Sequence, residues 1–309
     1  MDSRIRGGVV PPVCTPLTPD LEVDTGSLER LLEHLLAAGV DGIFALGSTG
    51  EMAYLTDAQR EQVLRTTAAV VSGRVPVLAG VIDTTTARVR EHVRAAERAG
   101  CDAVVATAPF YTRTHPAEIA YHFRLLAEDT ALPLLAYDIP VSVHSKLSAA
   151  TLLELAADGV LAGVKDSSGD DAGLRGLLVE RADRGLESFR VFTGSELTVD
   201  TNLRMGADGV VPGLGNVDPD GYVRLHRACA AGDWDAAQAE QERLFRLFAL
   251  TSVGDPARIG ASSAALGAFK AALHLRGVID HPVTAPPQLP LTEDEVAGVR
   301  LRLDAAGLL

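Results

Sequence analysis

With 309 residues and a hydrophobic content of 47%, the chain can bury one large core, and at a formal net charge of -13 it shows none of the basic stripes that nucleic-acid binding needs. No apolar run reaches the roughly 18 residues of a membrane span, and the opening MDSRIRGG has no apolar h-region, so neither membrane nor nucleic acid is expected as a partner and the expected location is the cytoplasm. Cys14, Cys101 and Cys229 form no C-x-x-C pair and read as small buried hydrophobes, not as a disulfide framework or a zinc site.

A short apolar strand, a turn and an amphipathic helix then recur along the chain. GGVVPPVCTPL (7–17) begins the series, and Ser27 is expected to open a helix that Gly39 ends. GIFALGS (42–48) is the second strand, and Thr56 with Gln59 carries a capping-box signature for the next helix. PVLAGVI (76–82) is the third, followed by a helix over 85–99 that Gly100 stops. AVVATAP (103–109) precedes a helix started by Pro116, and LPLLAYDIP (132–140) precedes one capped by Ser148. LAGVKD (161–166), RVFTGSE (190–196) and GVVPGLG (209–215) complete eight strands.

Each of these runs is continuously apolar, as in strands buried on both faces. Helix-linked repetition with right-handed crossovers fits an α/β fold of the closed (β/α)8 TIM-barrel type better than an open sheet. No G-x-G-x-x-G motif follows the first strand, which removes the best marker of a dinucleotide-binding fold. Beyond 218 the strands cease, and helices are expected over 218–230, 233–251, 257–276 and 293–306, the last capped by Thr292. The expected organisation is a barrel over 1–217 that carries the active site, then the last barrel helix and a C-terminal helical extension over 218–309.

In such a barrel the chemistry sits at the carboxyl ends of the strands. The sixth run ends in Lys165, a costly place for an ammonium group because burial disfavours the charged form. A neutral amine is what a Schiff-base nucleophile needs. Only three of the 28 basic residues are lysines, Lys146, Lys165 and Lys270, and the arginines that make up the rest cannot condense with a ketone. Side chains alternate along a strand, so with Lys165 pointing into the mouth Asp166 turns away and Ser167 points back in. The second run ends in Gly47, Ser48, Thr49, Gly50 and Glu51, which reads either as a nest for a carboxylate or phosphate or as an ordinary helix-capping turn. Tyr137 ends the fifth run and Tyr111 follows the fourth; each is open to a core or a catalytic reading.

GSTGE, APFY, YDIP, GVKDSSG and GADGVVPG, together with APPQLPLTEDE and the final AGLL, resemble in order and spacing the dihydrodipicolinate synthase and N-acetylneuraminate lyase superfamily of pyruvate-handling class I lyases, over nearly the whole chain. The resemblance implies a homo-oligomer, a tetramer or a dimer, in which Lys165 forms an imine with pyruvate or another 2-keto acid, with no metal or organic cofactor. It implies further that Ser48 and Thr49 hold the pyruvate carboxylate, with Gly47, Ser167 and Val211 also binding substrate. Tyr137 would shuttle the proton, and Tyr111 would cross a subunit interface to complete a relay.

Departures from the family pattern bear on the second substrate. Synthase-type members carry an arginine five residues after the strand-five tyrosine, a position held here by Ser142, with no arginine over 137–145. The glutamate that binds sugar hydroxyls in sialic acid lyases falls on Leu197, beside Glu196, and the eighth-strand serine falls on Gly213. Ser142, His144, Glu196 and Leu214 are therefore the candidates for the acceptor pocket, although His144 also reads as a solvated loop residue. PGLGN (212–216) could bind phosphate or simply turn, and Lys270 is expected on a helix surface or a subunit contact. No histidine pair has metal-ligand spacing, which argues against a metal-dependent aldolase.

The expected function is an imine-forming lyase that makes or cleaves a C–C bond at C3 of pyruvate, on a 2-keto-3-deoxy sugar acid or similar 2-keto acid. The alternatives are a 4-hydroxy-tetrahydrodipicolinate synthase joining pyruvate to aspartate semialdehyde, a 2-keto-3-deoxy acid dehydratase, or a non-catalytic binding or regulatory barrel.

Overall fold

The computed structural model describes residues 5–309, so part of the opening MDSRIRGG and the first residues of the 1–217 unit lie outside the described residues. Among these, the apolar runs form eight strands: β1 (Gly8–Val9), β2 (Ile43–Ala45), β3 (Val77–Gly80), β4 (Ala103–Thr107), β5 (Leu134–Asp138), β6 (Gly163–Asp166), β7 (Arg190–Thr193) and β8 (Gly209–Val210). All pair in parallel, in the order β1-β8-β7-β6-β5-β4-β3-β2. A parallel bridge between Pro12 and Phe44, with Val13 N donating to Phe44 O at 2.9 Å and Phe44 N to Pro11 O at 3.0 Å, brings the chain beyond β1 onto β2. The order thus returns on itself in a TIM-like (β/α)8 fold. The long run 7–17 yields only a two-residue strand because Pro11, Pro12 and Pro16 have no N–H to donate to a ladder.

Between the strands run α1 (Thr25–Ala38), α2 (Asp57–Val71), α3 (Thr86–Ala99), α4 (Pro116–Asp129), the short α5 (Pro140–Val143), α6 (Ala149–Ala157), α7 (Asp171–Asp183) and α8 (Val199–Arg204). After β8 come α9 (Pro219–Ala231), α10 (Trp234–Phe248), α11 (Ala261–Leu275) and α12 (Glu293–Ala305). Their ends follow local chemistry. Thr56 with Gln59 and Thr292 with Glu295 close reciprocal capping boxes, while Gly39 and Gly100 end helices in the left-handed conformation.

Two boundaries differ from the sequence expectation. The cap of α1 is Asp24, not Ser27: its carboxylate accepts from Ser27 N at 3.0 Å and from Ser27 Oγ at 2.6 Å, and a carboxylate also complements the positive end of the helix. The helix expected from 257 begins at Ala261, because Gly260 is extended and serves as its cap. Every strand residue except Arg190 is buried, and the three cysteines are free and buried. No helix among the described residues is long and apolar enough to cross a membrane.

Candidate active site

β6 places Lys165 between Tyr137 of β5 and Phe192 of β7, its register partners. Only 6% exposed, Lys165 lays its Nζ over the Tyr137 ring, 4.1 Å from the centroid, and 5.2 Å from the centroid of Phe44, whose ring meets Tyr137 edge-on. Aromatic faces attract a cation without taking its proton. Asp166 turns the other way, accepting from Ser168 N at 2.8 Å and lying 4.0 Å from Lys146 Nζ. Asp138, its neighbour on β5, pairs with Lys146 and accepts from Leu147 N at 3.1 Å. The alternation expected along β6 therefore holds, and the carboxylates of these two strands face outward, away from Lys165.

The Tyr137 hydroxyl lies 3.3 Å from Ser48 Oγ. Burial pushes its phenol up, but the charge of Lys165 and hydrogen bonds with Lys165, Ser48 and Ser167 outweigh burial and hold it below its ordinary value. Ser167 has room on the β7 side because residue 194 is glycine, where a Cβ would collide with Ser167 Oγ.

Ser48 opens a 3-10 turn over Ser48–Gly50. Within it Gly50 N donates to Gly47 O and Glu51 N to Ser48 O, while the N–H groups of Ser48 and Thr49 have no acceptor among the described residues. Two adjacent donors with two hydroxyls suit a carboxylate. Gly47 is required here, since a Cβ would press to 2.8 Å on the Phe44 ring. Glu51, at φ 59, closes the turn and sends its side chain into the interior. Its Oε1 accepts from Ala285 N at 2.7 Å and Gln288 Nε2 at 2.8 Å, and its Oε2 pairs with Lys270, which also donates to Val283 O at 2.6 Å. Lys270 is thus no surface residue but is wholly buried on α11, because its charge meets a carboxylate of the β2 loop.

A cavity of about 330 Å³ opens beside Ser48 and Thr49, walled by the β2, β4 and β5 loops and by α11. Of the acceptor-pocket candidates only Ser142 lines it. His144 is exposed, capping α5 at φ 57. Leu214 is fully buried, its N–H donating at 2.6 Å to Glu196 Oε1, which also accepts from Tyr222 OH at 3.2 Å. Burial raises the Glu196 carboxyl to about 7 against those hydrogen bonds, one from Gly213 and the charge of Lys165. Glu196 therefore props the loop after β8 and does not line the cavity. Val211, buried, donates its N–H to Thr193 O at 2.8 Å. Tyr111 is 94% exposed at φ 74 and does not line the cavity.

Sequence reasoning missed Phe44, the pairing of Glu51 with Lys270 and the α11 side chains Leu266 and Phe269 that close the cavity. For Lys270 a signal existed in the scarcity of lysine. For the α11 residues none did, since which helix covers the mouth is a property of the whole fold.

A model of the dihydrodipicolinate synthetase family matches residues 6–306. The chain belongs to that family. It is 34% identical over 99% of its length, and 94% of the relative's, to a 4-hydroxy-tetrahydrodipicolinate synthase of Kineococcus radiotolerans. It is also 34% identical, over 98% of its length and 94% of the relative's, to an uncharacterised DapA-like lyase of Halobacterium salinarum. Among solved structures it resembles YagE, a prophage protein of the dihydrodipicolinic acid synthase family from E. coli K12 solved in complex with pyruvate, with a TM-score of 0.91 and 28% identity over 98% of this chain and 99% of that one. The synthase of Bacteroides thetaiotaomicron matches at a TM-score of 0.91 and 30% identity over 97% and 98% of the two chains. Family membership makes the chain a relative of pyruvate-dependent lyases and agrees with the strand order and the mouth just described.

Proposed function

We propose that this member of the dihydrodipicolinate synthetase family is an imine-forming lyase that makes or cleaves the bond between C3 of pyruvate and an aldehyde carbon, with a 4-hydroxy-2-keto acid as the joined form. The observation that carries the proposal is the placement of Lys165 Nζ over the Tyr137 ring, with the free Ser48 and Thr49 donors beside the Tyr137 hydroxyl.

In the joining direction Lys165 adds to the pyruvate carbonyl and water leaves, giving a protonated imine while the Ser48–Gly50 turn holds the carboxylate. C3 then loses a proton to give an enamine, and the imine itself is the electron sink. The enamine carbon attacks the aldehyde carbon, whose oxygen takes up a proton to become a hydroxyl. Water finally releases the product and regenerates the amine. Tyr137, its phenol held below the ordinary value, gives and recovers the protons as general acid and base. Exposed Tyr111 would serve in the mouth of a partner subunit of a homo-oligomer, with helices α10 to α12 forming an extension on the barrel.

Borohydride reduction in the presence of pyruvate tests the imine: a mass adduct on Lys165 is expected, and its absence, or an undiminished adduct on Lys165→Ala, would sink the mechanism in favour of a non-catalytic barrel. A second reading, 4-hydroxy-tetrahydrodipicolinate synthase, is favoured by the name of the Kineococcus relative. Against it, the β5 loop offers Ser142 where an arginine would grip the second carboxylate, and the next cation, Lys146, is committed to Asp138. Condensation of aspartate semialdehyde with pyruvate at kcat/KM above about 10⁴ per molar per second, the lower end of the enzymatic range, would establish the synthase.

A further inference from the structure

Lys165 and Tyr137 do not line the cavity, but it begins at Thr49 and at Ser48, whose Oγ lies 3.3 Å from the Tyr137 hydroxyl, which makes it the space beside the imine site that a second substrate would occupy. Its walls decide what that substrate is. Met52, Ile82, Phe110, Ile139, Leu266 and Phe269 form its apolar sides. The polar lining consists of the hydroxyl side chains of Ser48, Thr49, Tyr54, Thr107, Ser142 and Ser262; among the described residues no charged, amide or imidazole side chain lines it. The candidates that could have gripped a charge or a polyol are engaged elsewhere: Glu196 holds Leu214 N and Tyr222 OH, and Lys146 holds Asp138. A carboxylate entering this space would leave water without a cation to meet it, and the apolar sides outnumber the hydroxyls, so most of an entering tail would meet carbon.

We infer that the acceptor aldehyde carries an uncharged, apolar substituent, aliphatic or aromatic, and that the joined 2-keto acid bears this substituent on its hydroxyl carbon. This rests on the imine reading for its chemistry but on the cavity walls for its specificity, and of the expected 2-keto acids it favours one without a sugar tail. A volume of about 330 Å³ accommodates a ring or a chain of several carbons as the tail.

Pyruvate is to be supplied with hexanal, benzaldehyde, glyceraldehyde or aspartate semialdehyde, and kcat/KM measured from the 2-keto acid formed. Hexanal or benzaldehyde is expected to exceed both polar aldehydes by at least roughly 10-fold, the discrimination that even one apolar contact supplies. Leu266→Gln is expected to lower the apolar aldehydes by a similar factor while leaving the yield of the borohydride-trapped pyruvate adduct unchanged. Preference for glyceraldehyde or aspartate semialdehyde, with the pyruvate adduct present, overturns the apolar assignment and leaves the imine standing. Should the adduct itself be absent, calorimetric titration of Lys165→Met, which cannot condense, still decides the specificity: binding of hexanal or benzaldehyde but not of glyceraldehyde supports an apolar site, and equal or reversed binding overturns it.

Discussion

The ammonium of Lys270 and the carboxylate of Glu51 meet in the interior, neither exposed by more than 1%, and tie the middle of α11 to the turn that presents Ser48 and Thr49. One end of the candidate carboxylate site is thereby anchored to a helix that also walls the cavity.

Removing one member of such a pair leaves the other charge uncompensated. Lys270→Met is expected to cost about 3–5 kcal/mol in urea unfolding, with Lys270→Met combined with Glu51→Gln recovering part of the loss. A cost below about 1 kcal/mol, the scale of an exposed ion pair, would show that the pair does not anchor the turn.

Tyr137→Phe keeps the ring under Lys165 and deletes only the hydroxyl that meets Ser48. Pyruvate trapping by borohydride should persist, while turnover falls by about 10²- to 10⁴-fold, the contribution of a positioned general acid or base. Turnover within a factor of three of wild type, about 0.7 kcal/mol in the barrier, would remove Tyr137 from proton transfer.

Glu196 gives the fold a pH dependence of definite sign. Its folded carboxyl, raised to about 7 by burial, stays protonated where the unfolded chain, near 4.5, has lost the proton. Its contribution is fully present below about 4.5 and is lost as pH rises through about 7, by at most about 3 kcal/mol. Glu196→Gln keeps an oxygen for Leu214 N and Tyr222 OH, so the variant should gain on wild type between pH 5 and 8 when both are unfolded in urea. Parallel curves for the two proteins would contradict the burial of this carboxyl.

Gly194→Ala drives a Cβ into Ser167 Oγ. Overpacking of this kind costs about 1–3 kcal/mol, and because Ser167 is among the groups that hold the Tyr137 phenol below its ordinary value the pH profile of turnover should shift with it. An unchanged profile and melting temperature would mean that the β6–β7 loops yield freely.

Much of this protein was legible residue by residue, because the signals involved act over a few positions. Capping boxes at Thr56 and Thr292, the stops at Gly39 and Gly100, the apolar runs and the exceptional Lys165 all depend on local backbone chemistry. Scarcity of lysine marked more than it first revealed: Lys146 and Lys270 proved to be the partners of buried carboxylates, Asp138 and Glu51. That Asp166 stands on the side of β6 opposite Lys165 also followed from alternation alone.

Only the closed sheet decided what each polar side chain meets. It brought Phe44 of β2 against Lys165 of β6, turned Glu196 to Leu214 and away from the cavity, and laid α11 across the mouth. Contacts between a residue and one more than two hundred positions away, as from Glu51 to Ala285 and Gln288, leave no periodic trace in either segment. Local sequence determines where strands and helices begin and end, whereas the partners of a buried charge are set by the non-local packing that excludes water from it.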